Sequence, residues 1–161
     1  RSDRASLCHL GALARSRAAQ LAPWADERGV AIEVTGDAAT TIDPEACARA
    51  IENLVRNAVE ASPRESTVRV SIEPSAGPSA GVGEVTVAVE DDGPGVPEAD
   101  VAHLFEPFFT TKPDGTGLGL AVSRAIAQAA GGQLVYARLR GDGAGRGDKT
   151  RFAMHLMDGA A

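Results

Sequence analysis

Aromatic residues are scarce in this sequence: one Trp, one Tyr and four Phe make up 4% of its 161 residues. A core must therefore be built from Ala, Val, Leu and Ile, and a hydrophobic fraction of 43% is enough for one packed interior. Cysteine is nearly missing. Cys8 and Cys47 stand far apart, too few for a disulfide framework, and both read as reduced packing residues. No apolar run reaches the ~18 residues that a membrane span requires, and no signal peptide opens the sequence. A cytoplasmic chain without direct membrane contact is expected, whether or not its parent protein is membrane-anchored. Positive charge is in short supply as well, with 16 Lys and Arg against 22 Asp and Glu and a net charge of −6. Backbone binding to nucleic acid needs clustered cations, so no nucleic-acid partner is expected. A nucleotide site is not excluded, because a few local donors can override the global field.

The periodicities that are present alternate between helix and strand. Leu10, Leu13, Ala14, Leu21, Trp24 and Ala25 recur at helical spacing, with Pro23 inside the pattern and Gly29 as its stop. Val30, Ile32 and Val34 alternate as a strand. Asp43-Pro44 is a helix start, an N-cap followed by proline at the first helical position. The helix that follows carries Cys47, Ala50, Ile51, Leu54, Ala58 and Ala61 on one stripe and ends at Ser62-Pro63. Strands are predicted around Val68 to Ile72 and Val85 to Val89, joined by a mobile Pro/Gly/Ser stretch from Pro74 to Gly83. Val101, Leu104 and Phe105 suggest a short helix, and Glu106 to Thr116 a loop. A clear helix runs from Leu118 to Ala129 and closes at Gly131-Gly132. Leu134 to Leu139 and Thr150 to Met157 read as a terminal strand pair around a Gly-rich loop. There is no internal repeat. Strands adjacent in sequence favour a two-layer α/β sandwich: a mixed, mainly antiparallel sheet of about five strands with three main helices on one face.

Four segments carry candidate chemistry. In Asn53 to Ala61, Asn53 and Asn57 lie one helical turn apart, about a quarter-turn from the apolar stripe. Their carboxamide oxygens can ligate a hard cation or bond phosphates, or simply be solvated. In Val89 to Pro97, a strand delivers Asp91 into a turn whose Gly93 and Gly95 allow close approach of a ligand. A carboxylate there can accept from an exocyclic amine, or the segment is a plain Asp-Gly turn. In Leu104 to Lys112, Phe108 and Phe109 can anchor a movable loop, or form a small cluster beneath it. In Gly115 to Ala121, glycines open a helix whose first N–H groups suit phosphate. The spacing is neither the dinucleotide fingerprint nor a Walker loop.

Taken together and in this order, the four segments resemble the four nucleotide-binding boxes of sensor histidine kinase catalytic domains. These belong to the superfamily shared with gyrase, heat-shock chaperones and mismatch-repair ATPases, and have the Bergerat fold. The resemblance runs from about Ala5 to Met157, and the wording of Glu106 to Lys112 and Asn57 to Ala61 is most similar to the nitrogen-regulation subgroup. It implies a single domain over 1–161, with an ordered core of about 5–157, that binds ATP and Mg²⁺. It implies Asn57 as the Mg²⁺ ligand with Asn53 in support, Asp91 as acceptor for the adenine amino group, and Gly93 and Gly95 shaping that pocket. Thr150, two residues before Phe152, would help hold the adenine. Gly115, Thr116, Gly117, Leu118, Gly119 and Leu120 would cradle the phosphates, with Lys112 as a mobile phosphate contact. Phe105, Phe108 and Phe109 would anchor a lid from Phe105 to Gly115.

The implied reaction moves the γ-phosphoryl group of ATP to a histidine, for relay to a response-regulator receiver domain. His9, His103 and His155 lack the acidic residue and downstream proline of the family's acceptor helix, so all three read as structural or surface residues. The acceptor is expected on a separate dimerisation domain preceding Arg1, and the isolated chain is expected to be a monomer. Glu60 stands where many relatives carry a basic residue, which leaves Arg56 or Lys112 to supply that charge. A gyrase-type hydrolase would need a glutamate at Asn53 as general base, and an asparagine cannot accept a proton. Glu52 is next door but about 100° round the helix. A serine kinase that sequesters a sigma factor would normally carry the same glutamate and lack the Phe108-Phe109 segment. A degenerate docking module is the non-enzymatic alternative.

Overall fold

The computed structural model describes residues 4–75, 84–110, 118–142 and 147–157. The elements in chain order are β1 (Ser6–His9), α1 (Leu10–Glu27), β2 (Val30–Gly36), β3 (Ala39–Ile42), α2 (Pro44–Ala61), β4 (Ser66–Pro74), β5 (Val85–Asp91), a 3-10 turn (Glu98–His103), α3 (Gly119–Ala129), β6 (Gln133–Leu139) and β7 (Lys149–Leu156). Five strands form one sheet in the order β2-β4-β5-β7-β6, and β1 and β3 form a separate two-stranded sheet. Only the β2–β4 pairing of the large sheet is parallel. The three helices pack on one face of that sheet, which makes the two-layer sandwich read from the sequence.

Alternation explains how the sheet chooses its inner face. Val68, Val70 and Ile72 of β4, Val87 and Val89 of β5, and Phe152 and Met154 of β7 are all buried. Strand register aligns them in rows: Val89 faces Phe152, which faces Tyr136, and Val87 faces Met154, which faces Leu134. The aromatic rings gather here, with Tyr136 5.3 Å and Phe105 6.3 Å from Phe152, centroid to centroid.

Helix α2 covers the sheet with Ala50, Ile51, Leu54, Val55, Ala58 and Val59, all buried. Full burial of Ile51 and Leu54 contributes about 1.5–3 kcal/mol each. Asp43 caps the helix, accepting from the N–H groups of Glu45 and Ala46 at 3.1 and 3.4 Å. Pro63 forces Ser62 into extended backbone and ends it. Helix α1 continues past Pro23. Its Trp24 lies between two guanidinium groups, those of Arg28 at 5.6 Å and Arg56 of α2 at 5.2 Å. Ser123 of α3 donates to the Ala50 carbonyl at 3.4 Å and ties α3 to α2.

The sequence expectations differ from the structure at the small elements. The first and third strands, at Ser6–His9 and Ala39–Ile42, were not expected; they pair with each other across α1 and β2. The short helix expected around Val101 to Phe105 lies earlier, at Glu98–His103, because Pro97 starts it. The expected mobile connection falls largely outside the described residues. Cys8 and Cys47 are free and buried, and burial raises both thiol pKa values, that of Cys47 to about 12. No described helix is long and apolar enough to cross a membrane.

Candidate nucleotide site

The inner face of the sheet turns polar at one end. Asp91 is the last residue of β5, Thr150 faces it in register on β7, and Arg138 faces Thr150 on β6. Asp91 and Thr150 are only 1% and 3% exposed. The Asp91 carboxylate accepts from the Gly93 N–H at 2.7 Å through Oδ1, which folds the chain sharply after the strand. Gly93 is required sterically, because a Cβ there would run into the carbonyl oxygen of Ala61 at the end of α2. Gly95 has φ +76°, and a Cβ would lie 3.0 Å from the Tyr136 hydroxyl and 3.1 Å from Cδ of Arg138.

Strand β6 clamps this turn from outside. The Val96 N–H donates to the Tyr136 hydroxyl at 3.0 Å. Arg138 donates through Nη1 to the Gly93 carbonyl and to the Thr150 hydroxyl, each at 2.7 Å. Lys149 pairs with Asp92 beside it. Outside the clamp lies an open cleft of about 660 Å³, lined by Ala61, Pro63, Asp92, Gly93, Pro94, Arg138 and the start of β7. Asp148, at its rim, has its carboxyl held low by the Gly141 N–H, and further by Arg140 and Arg138. Sequence reasoning did not single out Tyr136 or Arg138. Their part in the turn follows from register, which leaves no local pattern to read.

The second group of candidates lies on the helices. Asn53 and Asn57 are half-buried on α2. Asn53 donates through Nδ2 to the carbonyl of Gly119 at 3.3 Å, which joins the asparagine turn to the start of α3. Its Oδ1 is then the acceptor end. A Cβ on Gly119 would meet Asn53 at an ordinary 3.9 Å, so this glycine is not forced by packing. Leu118 is exposed and Leu120 packs against the core. Lys112, Gly115, Thr116 and Gly117 lie outside the described residues. Arg56 lies over the Trp24 ring at 5.2 Å and pairs with Glu52 at 3.5 Å.

The three candidate lid phenylalanines are placed differently from one another. Phe105 packs against the core edge-on to Phe152, with Arg124 of α3 over its ring at 5.8 Å. Phe109 tilts against His103 at 6.1 Å. Phe108 is 75% exposed and sits at φ +67°, a left-handed backbone that a bulky side chain adopts only under strain. The histidines are occupied or exposed: His103 pairs with Glu106 at 3.1 Å, His155 bonds the Thr86 hydroxyl at 3.0 Å, and His9 is exposed.

Among the described residues no group of three or more His, Cys, Asp or Glu could hold a metal ion. A dedicated carboxylate cage is therefore not present there. Two neutral carboxamides on one helix face suit instead a hard cation that keeps waters and leans on substrate phosphates.

A family model described as histidine kinase-, DNA gyrase B-, and HSP90-like ATPase matches residues 42–158. The chain belongs to this ATPase family. Among curated members, the sensor histidine kinase ZraS of Salmonella typhimurium is 37% identical over 102 residues, 63% of this chain and 21% of ZraS. The match thus spans about a fifth of that relative. Solved structures of the family agree in fold. The mycobacterial sensor histidine kinase MprB superposes with a TM-score of 0.72 at 22% identity, covering 96% of this chain and 99% of that one. Full-length ShkA in complex with AMPPNP gives 0.70 at 27% identity, covering 95% of this chain and 31% of ShkA.

Proposed function

We propose that this chain is the ATP-binding catalytic domain of a two-component sensor histidine kinase, one domain over 1–161 with its core at about 5–157. It would hold ATP with Mg²⁺ and transfer the γ-phosphoryl group to a histidine on a separate dimerisation domain. A receiver aspartate of a response regulator would take the group next. The observation that carries the reading is the buried Asp91 carboxylate, oriented by the Gly93 N–H and in register with Thr150. The family match and the nucleotide analogue bound to ShkA support it.

The residues divide the work by chemistry. Asp91 accepts from the adenine amino group, and Thr150 lies beside it. Asn57, supported by Asn53, offers oxygen ligands to Mg²⁺, which neutralises phosphate charge when bound. The N–H groups at the start of α3, Leu118 to Leu120, and the glycines before them receive the phosphates. The domain supplies position and charge rather than a general base. Asn53 has no proton affinity to activate water, which favours transfer over hydrolysis. Phe105 holds the base of a lid whose remainder carries Lys112.

Calorimetric titration with ATP, with and without Mg²⁺, tests the reading. Wild type is expected to bind in a Mg²⁺-dependent way, and Asp91→Asn to weaken binding at least 100-fold while remaining folded by circular dichroism. A folded wild type that does not bind ATP would sink the assignment. With binding in hand, adding a histidine-bearing helical domain and following phosphohistidine formation tests the transfer itself.

A further inference from the structure

Two hydrogen bonds tie α2 to α3 toward the proposed phosphate side: Asn53 to the Gly119 carbonyl at 3.3 Å and Ser123 to the Ala50 carbonyl at 3.4 Å. The later residue on α3 meets the earlier one on α2, so the helices run antiparallel. Beyond Ala50, the start of α2 and the rest of α3 stand on either side of a cavity of about 370 Å³. Val122, Ala125, Ile126 and Ala129 line it from α3, and Cys47 lines it from α2. Ala125 and Ala129 are exposed, which marks its mouth. Polar groups are few. The Thr41 hydroxyl and the Asp43 carboxylate lie where β3 runs into α2, and the Cys47 thiol stays protonated because burial pushes its pKa up to about 12. Protein interiors leave few voids larger than a water molecule. Water here would find few partners, since each enclosed water needs two to four. Apolar walls and a volume above about 300 Å³ are the properties of a small-molecule site.

From this placement we infer that the cavity is a second ligand site, for a compact apolar molecule of one or two rings with one hydroxyl or amine, and that its occupant tunes nucleotide affinity through the α2–α3 seam. The tuning rests on the reading of Asn53 and the start of α3 as the phosphate side; the site itself does not. Rings fill the apolar walls. The single donor bonds the Asp43 carboxylate, which the Glu45 and Ala46 N–H groups already orient. An anionic group in its place is repelled by that carboxylate. The cavity is separate from the nucleotide pocket: Cys47 precedes Asn53 by six residues, roughly 9 Å along the helix axis. A ligand of fixed width sets the spacing of the two helices at the cavity. The tie at Ala50 passes that spacing on to the Asn53–Gly119 contact, which packing alone lets shift. By linkage, bound nucleotide changes the ligand's affinity by the same factor.

The probe is 2-naphthol, with naphthalene-2-sulfonate as its anionic counterpart, titrated into the chain by calorimetry with and without saturating Mg²⁺-ATP. One saturable site is expected for 2-naphthol, with the sulfonate at least tenfold weaker. Saturating 2-naphthol should tighten Mg²⁺-ATP at least threefold, and Mg²⁺-ATP should tighten 2-naphthol equally. Ala125→Phe, at an exposed lining position, is expected to weaken 2-naphthol at least tenfold and to abolish the coupling. Ala129→Leu replaces it if that variant does not fold. Asp91→Asn should leave 2-naphthol affinity unchanged. Competition between 2-naphthol and ATP, or loss of 2-naphthol binding in Asp91→Asn, puts the probe in the nucleotide pocket and overturns the inference. Undiminished binding in the folded filling variant overturns it too. So does the lack of a saturable site, the result expected of a groove that takes only a protein helix. An ATP affinity unchanged by 2-naphthol overturns the tuning. If wild type binds ATP but not 2-naphthol, only this inference fails. If it binds 2-naphthol but not ATP, the nucleotide reading and the tuning fall together and the site stands.

Discussion

The two sides of the proposed pocket are built by different means. On the base side, Asp91, Thr150 and Arg138 sit on three neighbouring strands, and backbone register brings them together. Their hydrogen bonds are short, at 2.7 Å, and the Phe152 row lies directly beneath. On the phosphate side, Asn53 and Gly119 belong to two helices joined by bonds of 3.3 and 3.4 Å. Side-chain packing and these two side-chain hydrogen bonds, with no backbone ladder, set their distance. A sheet fixes separation by its ladder, whereas packed helices can slide by small amounts. The base side is thus preorganised, and the phosphate side can adjust when a ligand arrives.

The largest expected effect removes the support of the base side. Phe152→Ala should cost about 3–5 kcal/mol of stability, measured by denaturant unfolding, because the ring is buried between Tyr136 and Phe105. If the two sides are as different as described, whatever folded protein remains should lose base selectivity before it loses the Mg²⁺ dependence of binding. An intermediate effect belongs to the helical side. Asn53→Ala should change stability by only about 0.5–1.5 kcal/mol, the worth of one hydrogen bond. It should nevertheless weaken Mg²⁺-ATP about tenfold in calorimetry, with adenine selectivity intact. Selectivity lost with Asn53 would dissolve the distinction between the two sides.

The smallest effect near neutral pH lies away from both. Burial pushes the Cys47 thiol up to about 12, with nearby Cys8 and Asp43 adding to the shift. An unfolded thiol ionises near the ordinary value of 9.0, so the unfolded chain loses that proton first. Stability from this group is complete below pH 9 and is lost as pH rises toward 12. Comparing urea unfolding of wild type and Cys47→Ala across that range should show a shallower decline in the variant, with nucleotide affinity at pH 7 unchanged.

The long elements were legible because their signals are local. Asp43-Pro44 starts α2, the spacing of Cys47, Ile51, Leu54 and Ala58 shows its buried side, and Ser62-Pro63 ends it. Asp91, Asn53 and Asn57 stand out as candidates only as an ordered set, since each alone has a mundane reading, and Gly115 and Gly117 lie outside the described residues. The strands at Ser6–His9 and Ala39–Ile42 were missed because four residues give too short an alternation, and their pairing joins distant parts of the chain. Arg138 was missed for a related reason. Its partners lie 45 residues away at Gly93 and 12 away at Thr150, brought near only by the sheet.

The lone tryptophan gives this molecule an optical probe of a particular kind. Trp24 of α1 packs against the core with the guanidinium groups of Arg28 and of Arg56 of α2 over its ring. Its emission reports whether the seam between α1 and α2 is closed. The intrinsic fluorescence of the chain should therefore follow global unfolding, because opening the α1–α2 seam exposes the one indole to water.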